Sequence, residues 1–360
     1  MEIVSEEPRP DPFSVLKTLG RIALCSKESF RIFGIIPTLK TAQATLSNVA
    51  RRWLVGRESH HFAPGITLIT FTIHPDMARI WYWFAARVAD PSTTIVIVDC
   101  SGILCPTDFP GAKVVRFCNF PHGQKIDYWT YHALNTKYVW LSDDDVIPIS
   151  TAVWEHILPR FEQDSTLAAV SLRARGWELE WNGIRQRCMG PYSLVFDRER
   201  FCSEGLSFQS VTTTDERIAP GRSPGHFDVA DYAHFQLMRR GYRVEIVEVR
   251  KVAGFVGVSR ALMLTLKTKG RVLPYLCSQL TDNPNHALGE IEAQYCAWLV
   301  HDLYVELFKE KPLFVPLIPR EHLLELASQV SGSVWSDPVS RLSRWDEEYA
   351  ILLQFAESIA

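Results

Sequence analysis

A run of consecutive carboxylates, Asp143 to Asp145, directly follows the apolar segment YVWLS. Like charges in a row repel one another and lose hydration when they pack, so such a run is costly unless a cation lies among them. Hard oxygen ligands suit Mg²⁺ or Mn²⁺, which usually bind one or two carboxylates together with substrate phosphates and water. The run predicts a divalent-metal site for a diphosphate, although a solvated acidic turn would have the same sequence.

Polar residues also end two earlier apolar segments. Thr72 and His74 lie at the end of ITLITFTI, and Asp99 lies in TTIVIVDCSG. Open α/β sheets bind their ligands beyond the carboxyl ends of the strands. We therefore expect these side chains to lie beside the carboxylate run.

The elements that must position these residues alternate between β-rich and helical patterns over residues 61–260. This alternation predicts an α/β fold with a mostly parallel sheet flanked by helices. Residues 1–60 are predicted to form a helical amino-terminal segment, and residues 261–360 a helical carboxyl-terminal region. Strands are predicted at 66–73, 93–102, 112–120, 138–142, 167–175 and 190–196, and helices at 75–88, 123–135 and 151–161.

The composition excludes several classes of protein. The 360 residues include 38 Lys and Arg against 41 Asp and Glu, so the chain lacks the basic charge of a nucleic-acid binder. No segment reaches the ~18 uncharged apolar residues that span a bilayer, and the acidic start does not match a signal peptide. The eight cysteines form no CxxC pair, which favours buried thiols and a cytoplasmic location.

Residues 13–57 are basic and amphipathic, with a single acidic residue, Glu28. Helices of this kind lie on anionic membrane surfaces, which would place the protein at the cytoplasmic face of a membrane. The alternative is that the segment packs on the main domain as a helical collar. The basic residues are Lys17, Arg21, Lys27, Arg31, Lys40, Arg51, Arg52 and Arg57.

The stretch from Gly65 to Val258 resembles the Rossmann-like GT-A glycosyltransferases that use nucleotide sugars, and is most similar to the inverting family-2 type. The likeness depends on the order and spacing of five segments: ITFTIHPD, VIVDCSG, GQK with ALN, LSDDDVIP, and DYAHFQLMRRGYRV. It implies transfer of a sugar, with UDP-sugars favoured, to a carbohydrate, lipid-linked or small-molecule acceptor. A divalent cation, Mn²⁺ or Mg²⁺, is implied as well.

The resemblance also implies roles for donor-site residues. Thr72 and Asp99 would hold the nucleoside, and Lys125 would lie near the base or ribose. Asp143 would contact the ribose or the metal, and Asp145 would hold the metal against the diphosphate. Asp144, between them, would support the donor site.

The general base that inverting transfer requires would come from the segment HFDVADYAHFQLMRRGYRV. Asp231 matches the family's base more closely than Asp228, but it lies one residue farther from Gly241 than the family pattern. The assignment between the two stays open, and either could instead cap the helix. Metal-dependent relatives carry a further histidine ligand after this helix, where EVRKVAGFVGVSR has none, so His226 is the candidate substitute.

Two further residues are candidates for the acceptor side. Arg222, with Arg217, lies in a polar Gly- and Pro-rich loop that could close over substrate, and either could bind a diphosphate. Trp181, close to Trp177 and Asn182, could stack on a sugar ring. An exposed loop arginine and a core tryptophan are the ordinary alternatives.

Three other functions compete with inverting transfer. A retaining GT-A enzyme would carry the same carboxylate strand end. A binding or scaffold protein could keep the fold without catalysis, and the missing histidine and irregular base segment favour it. A sugar-phosphate nucleotidyltransferase would need a Gly-rich basic loop after the first strand, where this chain has FTIHPDMARIWYW.

Overall fold

The structure is a computed structural model that describes residues 15–55, 62–212, 219–220, 226–247, 250–330 and 337–359. Within these ranges the strands are β1 (Ala63–Thr72), β2 (Thr94–Asp99), β3 (Lys113–Arg116), β4 (Thr136–Ser142), β5 (Val146–Pro148), β6 (Leu167–Ser171), β7 (Glu178–Trp181), β8 (Ile184–Arg187), β9 (Ser193–Asp197), β10 (Val211–Thr212), β11 (Ala219–Pro220), β12 (His226–Phe227), β13 (Arg243–Ile246) and β14 (Val252–Gly254).

The helices flank these strands and fill both ends of the chain. They are α1 (Val15–Phe33), α2 (Ile35–Val55), α3 (Pro75–Val88), α4 (His122–Tyr128), α5 (Leu158–Gln163), α6 (Arg198–Ser203), α7 (Asp231–Arg239), α8 (Val258–Lys267), α9 (Val272–Asp282), α10 (Pro284–Phe308), α11 (Arg320–Ser328) and α12 (Pro338–Ile359). A 3₁₀ turn spans Pro106–Asp108, and π-helical turns span Trp129–Ala133 and Val153–Ile157.

The central sheet has seven strands in the order β13, β6, β9, β4, β1, β2, β3. Neighbouring strands are parallel except at β9, which runs antiparallel to both β4 and β6. Strands β6 and β9 are buried along their whole length, as expected for strands that are covered on both faces. The predicted α/β fold with a mostly parallel sheet flanked by helices is confirmed.

The order of strands reverses between β1 and β4. The chain adds β2 and β3 on one side of β1 and then returns to place β4 on the other side. In open α/β sheets, ligands bind outside the carboxyl ends of the strands at such a switch point. Thr72 ends β1 and Ser142 ends β4, so the carboxylate run opens on this crevice.

The carboxyl-terminal helices share a hydrophobic core with α3 and with the short sheet of β5 and β14. One buried cluster joins Met77 and Phe84 of α3 to Ile147 of β5, Leu299 of α10 and Leu352 of α12. Strand β5 pairs antiparallel with β14 at the edge of this cluster. The carboxyl-terminal region therefore packs directly on the elements that carry the carboxylate run.

The amino-terminal helices α1 and α2 pack beside β3. The N–H of Cys118 donates to the Thr45 hydroxyl at 2.8 Å. Gly102 lies so close to α2 that a Cβ there would approach the Pro37 carbonyl oxygen to 2.4 Å. The pair thus contacts the main domain, as the collar interpretation predicts, and none of the described helices is long and apolar enough to cross a membrane.

Several elements differ from their predicted bounds. The strand predicted at 167–175 ends at Ser171, and the helix predicted at 123–135 divides into α4 and a π-helical turn. The sequence analysis did not predict the hairpin of β7 and β8. Its turn residues, Asn182 and Gly183, both have positive φ angles, 50° and 77°, as Asn-Gly hairpin turns require.

The buried imidazole of His234 in α7 leads to a prediction about stability. The N–H of Met189 donates to its Nδ1 at 3.1 Å, and burial lowers the pKa of His234 to about 3. The unfolded chain takes up this proton near pH 6.5, so the stabilisation is present above that pH and is lost as the pH falls. Between pH 7.5 and pH 5, we expect the unfolding free energy of His234→Gln to fall by about 2 kcal/mol less than that of the wild type.

Urea denaturation of both proteins at the two pH values measures this difference. Other titrating groups affect both proteins alike and cancel in the comparison. Equal pH dependence of the two proteins would contradict the assignment of a neutral buried imidazole at His234.

Candidate active site

The carboxylate run is held in place where β4 turns into β5. The N–H of Asp143 donates to the Tyr192 carbonyl at 2.9 Å, and the N–H of Val146 donates to the Asp143 carbonyl at 3.0 Å. Asp144 is only 5% exposed, whereas Asp143 and Asp145 are partly exposed. The run therefore offers two accessible carboxylates on either side of a buried one.

The backbone of Asp145 also packs tightly against β14. A Cβ at residue 254 would lie 2.1 Å from the Asp145 carbonyl oxygen, so only glycine fits at that position without a shift. The N–H of Phe255 donates to the same carbonyl at 2.8 Å. These contacts fix the backbone of Asp145 and therefore the point from which its side chain extends.

Loss of hydration in the crevice raises the pKa of all three carboxyl groups, although Asp143 and Asp145 remain partly exposed. The pKa of Asp143 rises to about 6 and that of Asp145 to about 7, with mutual repulsion adding to the effect at Asp145. The pKa of Asp144 lies well above its usual value, because burial and repulsion from Asp145 and Asp143 outweigh the opposing effect of the nearby Thr72 hydroxyl. Oxygen Oδ2 of Asp144 is buried and has no hydrogen-bond partner. The described residues thus neutralise the negative charge of the carboxylate run only in part.

A divalent cation fits this set of donors, because it favours the ionised carboxylates and supplies the missing positive charge. Among the described residues, no three His, Cys, Asp or Glu side chains form a group that could hold a metal ion. A cation here would therefore complete its coordination with phosphate oxygens and water, as Mg²⁺ commonly does.

Lys125 supplies a buried positive charge beside the run. Its ammonium group donates to the Asn119 side chain at 2.8 Å and lies 5.5 Å from the centre of the Phe71 ring. Its charge lowers the pKa values of Asp143 and Asp144, although burial outweighs this effect. Lys125 therefore lies within electrostatic reach of the carboxylate run, and its expected place near the base or ribose stays a prediction.

Arg173 lies just past the end of β6 and is partly exposed. Its charge lowers the pKa values of Asp145 and Tyr192, which places it beside the carboxylate run. Its guanidinium makes no ion pair with another described residue and lies 5.8 Å from the centre of the Trp345 ring. An arginine in this position can bind a phosphate group bidentately.

Asp228 and Asp231 both bind Arg175, but their environments differ. Nη1 of Arg175 lies 3.0 Å from Asp228 Oδ2, and its Nε lies 3.1 Å from Asp231 Oδ1. The Asp231 side chain is 2% exposed and also accepts hydrogen bonds from Trp177 Nε1 at 3.2 Å and Cys188 Sγ at 3.0 Å. The Asp228 side chain is 29% exposed. Of the two candidate bases, Asp228 is the one that a substrate can reach.

His122 lies beside the carboxylate run and within electrostatic reach of Asp228. Its Nε2 lies 3.4 Å from Asp143 Oδ1. Burial, with Lys125 and Arg175 adding to it, lowers the pKa of His122 to about 3, and the charge of Asp228 acts in the opposite direction. Asp228 and Asp143 therefore lie within electrostatic reach of the same neutral imidazole.

The carboxylate of Asp99 accepts hydrogen bonds from the loop that follows β2. Oδ1 accepts hydrogen bonds from the Ser101 N–H at 2.9 Å, the Ser101 hydroxyl at 2.6 Å and the Gly102 N–H at 2.8 Å. Oδ2 accepts one from the Leu104 N–H at 3.3 Å. In this structure, Asp99 is buried and shapes its own loop, and its role in holding the nucleoside stays a prediction.

The other predicted residues have different neighbours among the described residues or lie outside them. His226 is exposed on β12, opposite Thr212. Trp181 packs edge-on against Phe235 with ring centres 5.4 Å apart, which matches the core alternative. Arg217 and Arg222 lie outside the described residues.

Comparison with known proteins assigns no family to this chain. No protein-family model matches it, and no curated protein matches its sequence. Among solved structures, it is similar to 4-diphosphocytidyl-2C-methyl-D-erythritol synthase from Anaerococcus prevotii, at 13% identity over 52% of this chain and 89% of that chain, with a TM-score of 0.30. Similarity this weak carries no argument about function, so the function must be argued from the residues of the site.

Sequence reasoning missed His122, Arg173 and Arg175. The two arginines were placed inside a predicted strand, whereas β6 ends at Ser171 and both follow its carboxyl end. Ending that strand earlier would have drawn attention to them, by the same rule that singled out the carboxylate run. His122 lacks such a signal, because a tertiary contact brings it to Asp143.

Proposed function

We propose that this protein is a metal-dependent glycosyltransferase that moves a sugar from a nucleoside-diphosphate sugar, with UDP-sugars favoured, to an acceptor hydroxyl with inversion. One observation carries the proposal. A carboxylate run with raised pKa values lies at the switch point of the sheet, and an accessible carboxylate, Asp228, lies within electrostatic reach of His122, the imidazole beside Asp143. Together with the sequence resemblance, this supports a donor site and a general base in one crevice.

The donor diphosphate would lie at the carboxylate run. Asp143 and Asp145 would hold Mn²⁺ or Mg²⁺, which when bound offsets the negative charge that develops on a departing nucleoside diphosphate. Arg173 would bind phosphate oxygens directly, and Lys125 would supply fixed positive charge behind them. Asp144 and Thr72, both buried, would support the run from its inner side.

The acceptor would be activated at Asp228. Its carboxylate would take the proton from the acceptor hydroxyl as the oxygen attacks the anomeric carbon. The bond from that carbon to the diphosphate oxygen breaks, and its electron pair leaves with the nucleoside diphosphate. Arg175 would orient Asp228, and Asp231 would in turn anchor Arg175. In this proposal Asp231 is a positioning residue.

The proposal is tested by incubating purified protein with UDP-, GDP- and dTDP-sugars and Mn²⁺, with and without EDTA, and measuring nucleoside diphosphate release. We expect slow release from one donor that EDTA abolishes, because water can replace the acceptor. No nucleoside diphosphate release from any donor, together with no calorimetric binding of any nucleotide, would favour the scaffold alternative. Release of pyrophosphate from a nucleoside triphosphate and a sugar phosphate would favour a nucleotidyltransferase instead.

A further inference from the structure

The helix pair formed by α1 and α2 exposes an unusual number of apolar side chains. Its buried side combines Ile22 and Val49, which join the main core, with several hydroxyl groups, whereas many large apolar side chains are exposed. The buried polar residues are Thr18, Ser29, Thr38, Thr41 and Thr45, and the exposed apolar residues are Leu19, Leu24, Phe30, Ile35, Ile36, Leu39 and Leu46.

Exposed apolar side chains are concentrated in the helix pair. Thirteen large apolar side chains are exposed in the part of the chain that the structure describes, and seven of them lie in α1 and α2. Singly exposed apolar residues are normal, but a concentrated group marks an interaction surface. The helix pair therefore exposes a large apolar surface to solvent.

The apolar residues gather around the corner between the two helices. Gly34, with a φ of 82°, forms this corner in the left-handed conformation that favours glycine. Phe30 precedes the corner by one helical turn, and Ile35 and Ile36 follow it directly. Leu39 extends the stripe one turn farther along α2, because residues four apart lie on the same face of a helix.

Positive charge surrounds this apolar corner. Lys27, Arg31 and Lys40 are exposed on the same two helices. The single acidic residue of the pair, Glu28, lies 3.4 Å from Lys267 of α8. The exposed face therefore combines an apolar centre with net positive charge.

We propose that this face docks onto an anionic lipid bilayer, with the apolar corner inserted at the interface and Lys27, Arg31 and Lys40 on the headgroups. Helices that lie in a membrane interface combine these two features, and their binding depends on both apolar area and anionic lipid. The charge distribution favours a lipid surface over a second copy of this chain, because two copies would bring like charges together. The inference does not depend on the proposed glycosyl transfer.

Vesicle flotation of the full chain tests the proposal, with phosphatidylcholine vesicles that contain or lack phosphatidylserine. We expect wild-type protein to float with the anionic vesicles. The double substitution Ile36→Glu and Leu39→Glu should lower the partition coefficient at least ~10-fold, because it removes apolar area and adds negative charge. Lys27→Gln and Arg31→Gln should each lower it about fivefold, on anionic vesicles only.

Ile184→Glu is the matched control, because Ile184 is 64% exposed at the β7–β8 turn and Ile36 is 63% exposed. This control should float like the wild type. The proposal is overturned if wild-type protein stays in solution with anionic vesicles, if phosphatidylserine makes no difference, or if Ile184→Glu impairs flotation equally. A dimer in light scattering that Ile36→Glu dissociates, without flotation of the wild type, would assign the face to a second copy instead.

Circular dichroism and nucleoside diphosphate release in the absence of vesicles keep the two proposals separate. Variants of the helix pair should retain both signals while losing flotation. A protein that is inactive with every donor but floats with anionic vesicles would contradict the proposed glycosyl transfer and support membrane docking.

Discussion

Asp145→Ala should lower metal-dependent release of nucleoside diphosphate by at least about 10²-fold, the effect expected when a stabiliser of charge on the leaving group is lost. Asp145 is one of the two accessible carboxylates of the run, and the positive charge of Arg173 in the same crevice opposes the rise of its pKa. Initial rates at saturating Mn²⁺ measure the effect. Full turnover in this variant would exclude Asp145 as a ligand of the cation.

The melting temperature without metal provides the control for this variant. Because burial raises the pKa of Asp145 to about 7, its carboxyl group favours folding only while protonated, and this contribution is lost as the pH rises through 7. At pH 8, we therefore expect metal-free Asp145→Ala to melt no lower than the wild type. A large drop in melting temperature would mean that the activity is lost because the variant is destabilised.

Asp228→Asn should lower turnover by about 10²-fold or more while donor affinity persists, because the substitution removes a base but leaves the carboxylate run unchanged. Asparagine keeps the size of the side chain and can still accept a hydrogen bond from Arg175. Turnover is measured with the donor found in the panel, and donor affinity is measured by calorimetry. Loss of donor affinity equal to the loss of turnover would contradict a role confined to the acceptor side.

Asp231→Asn is the matched comparison. Asp231 is buried beside Arg175 at 3.1 Å, and removing one partner of a buried ion pair typically costs about 3–5 kcal/mol. We expect this variant to unfold at markedly lower urea concentration than Asp228→Asn. If Asp231→Asn instead lost turnover at unchanged stability while Asp228→Asn stayed active, Asp231 would be the base, as the family pattern suggested.

The strand ends were the part of the site that could be predicted from sequence. Apolar segments that end in polar residues correctly indicated that Thr72 and the carboxylate run lie at one edge of the sheet, because that pattern follows from burial on both faces. The burial of Asp231 could not be predicted in this way. Helix α7 begins at Asp231 after Ala230 adopts a left-handed φ of 70°, and a backbone conformation unusual for alanine leaves no mark in the hydrophobic pattern.

Other differences had local signals that the sequence analysis did not use. The Asn182–Gly183 pair indicates a tight hairpin, which places Trp181 at a strand end packed on α7. The segment DCSG allows Asp99 to bind the N–H groups that follow it, a common use of aspartate in turns. The contacts of His122 and Arg175, by contrast, join residues far apart in sequence and needed the structure.

The carboxyl-terminal helices supply no group that we assign to the reaction, yet they touch the site. Trp345 of α12 lies beneath Arg173, and Glu348 accepts a hydrogen bond from the N–H of Gly254 at 3.0 Å, beside the Asp145 carbonyl. This region therefore cannot act as an exchangeable module. A chimaera that took its last hundred or so residues from another enzyme would inherit an altered donor site, even with every proposed reacting group unchanged.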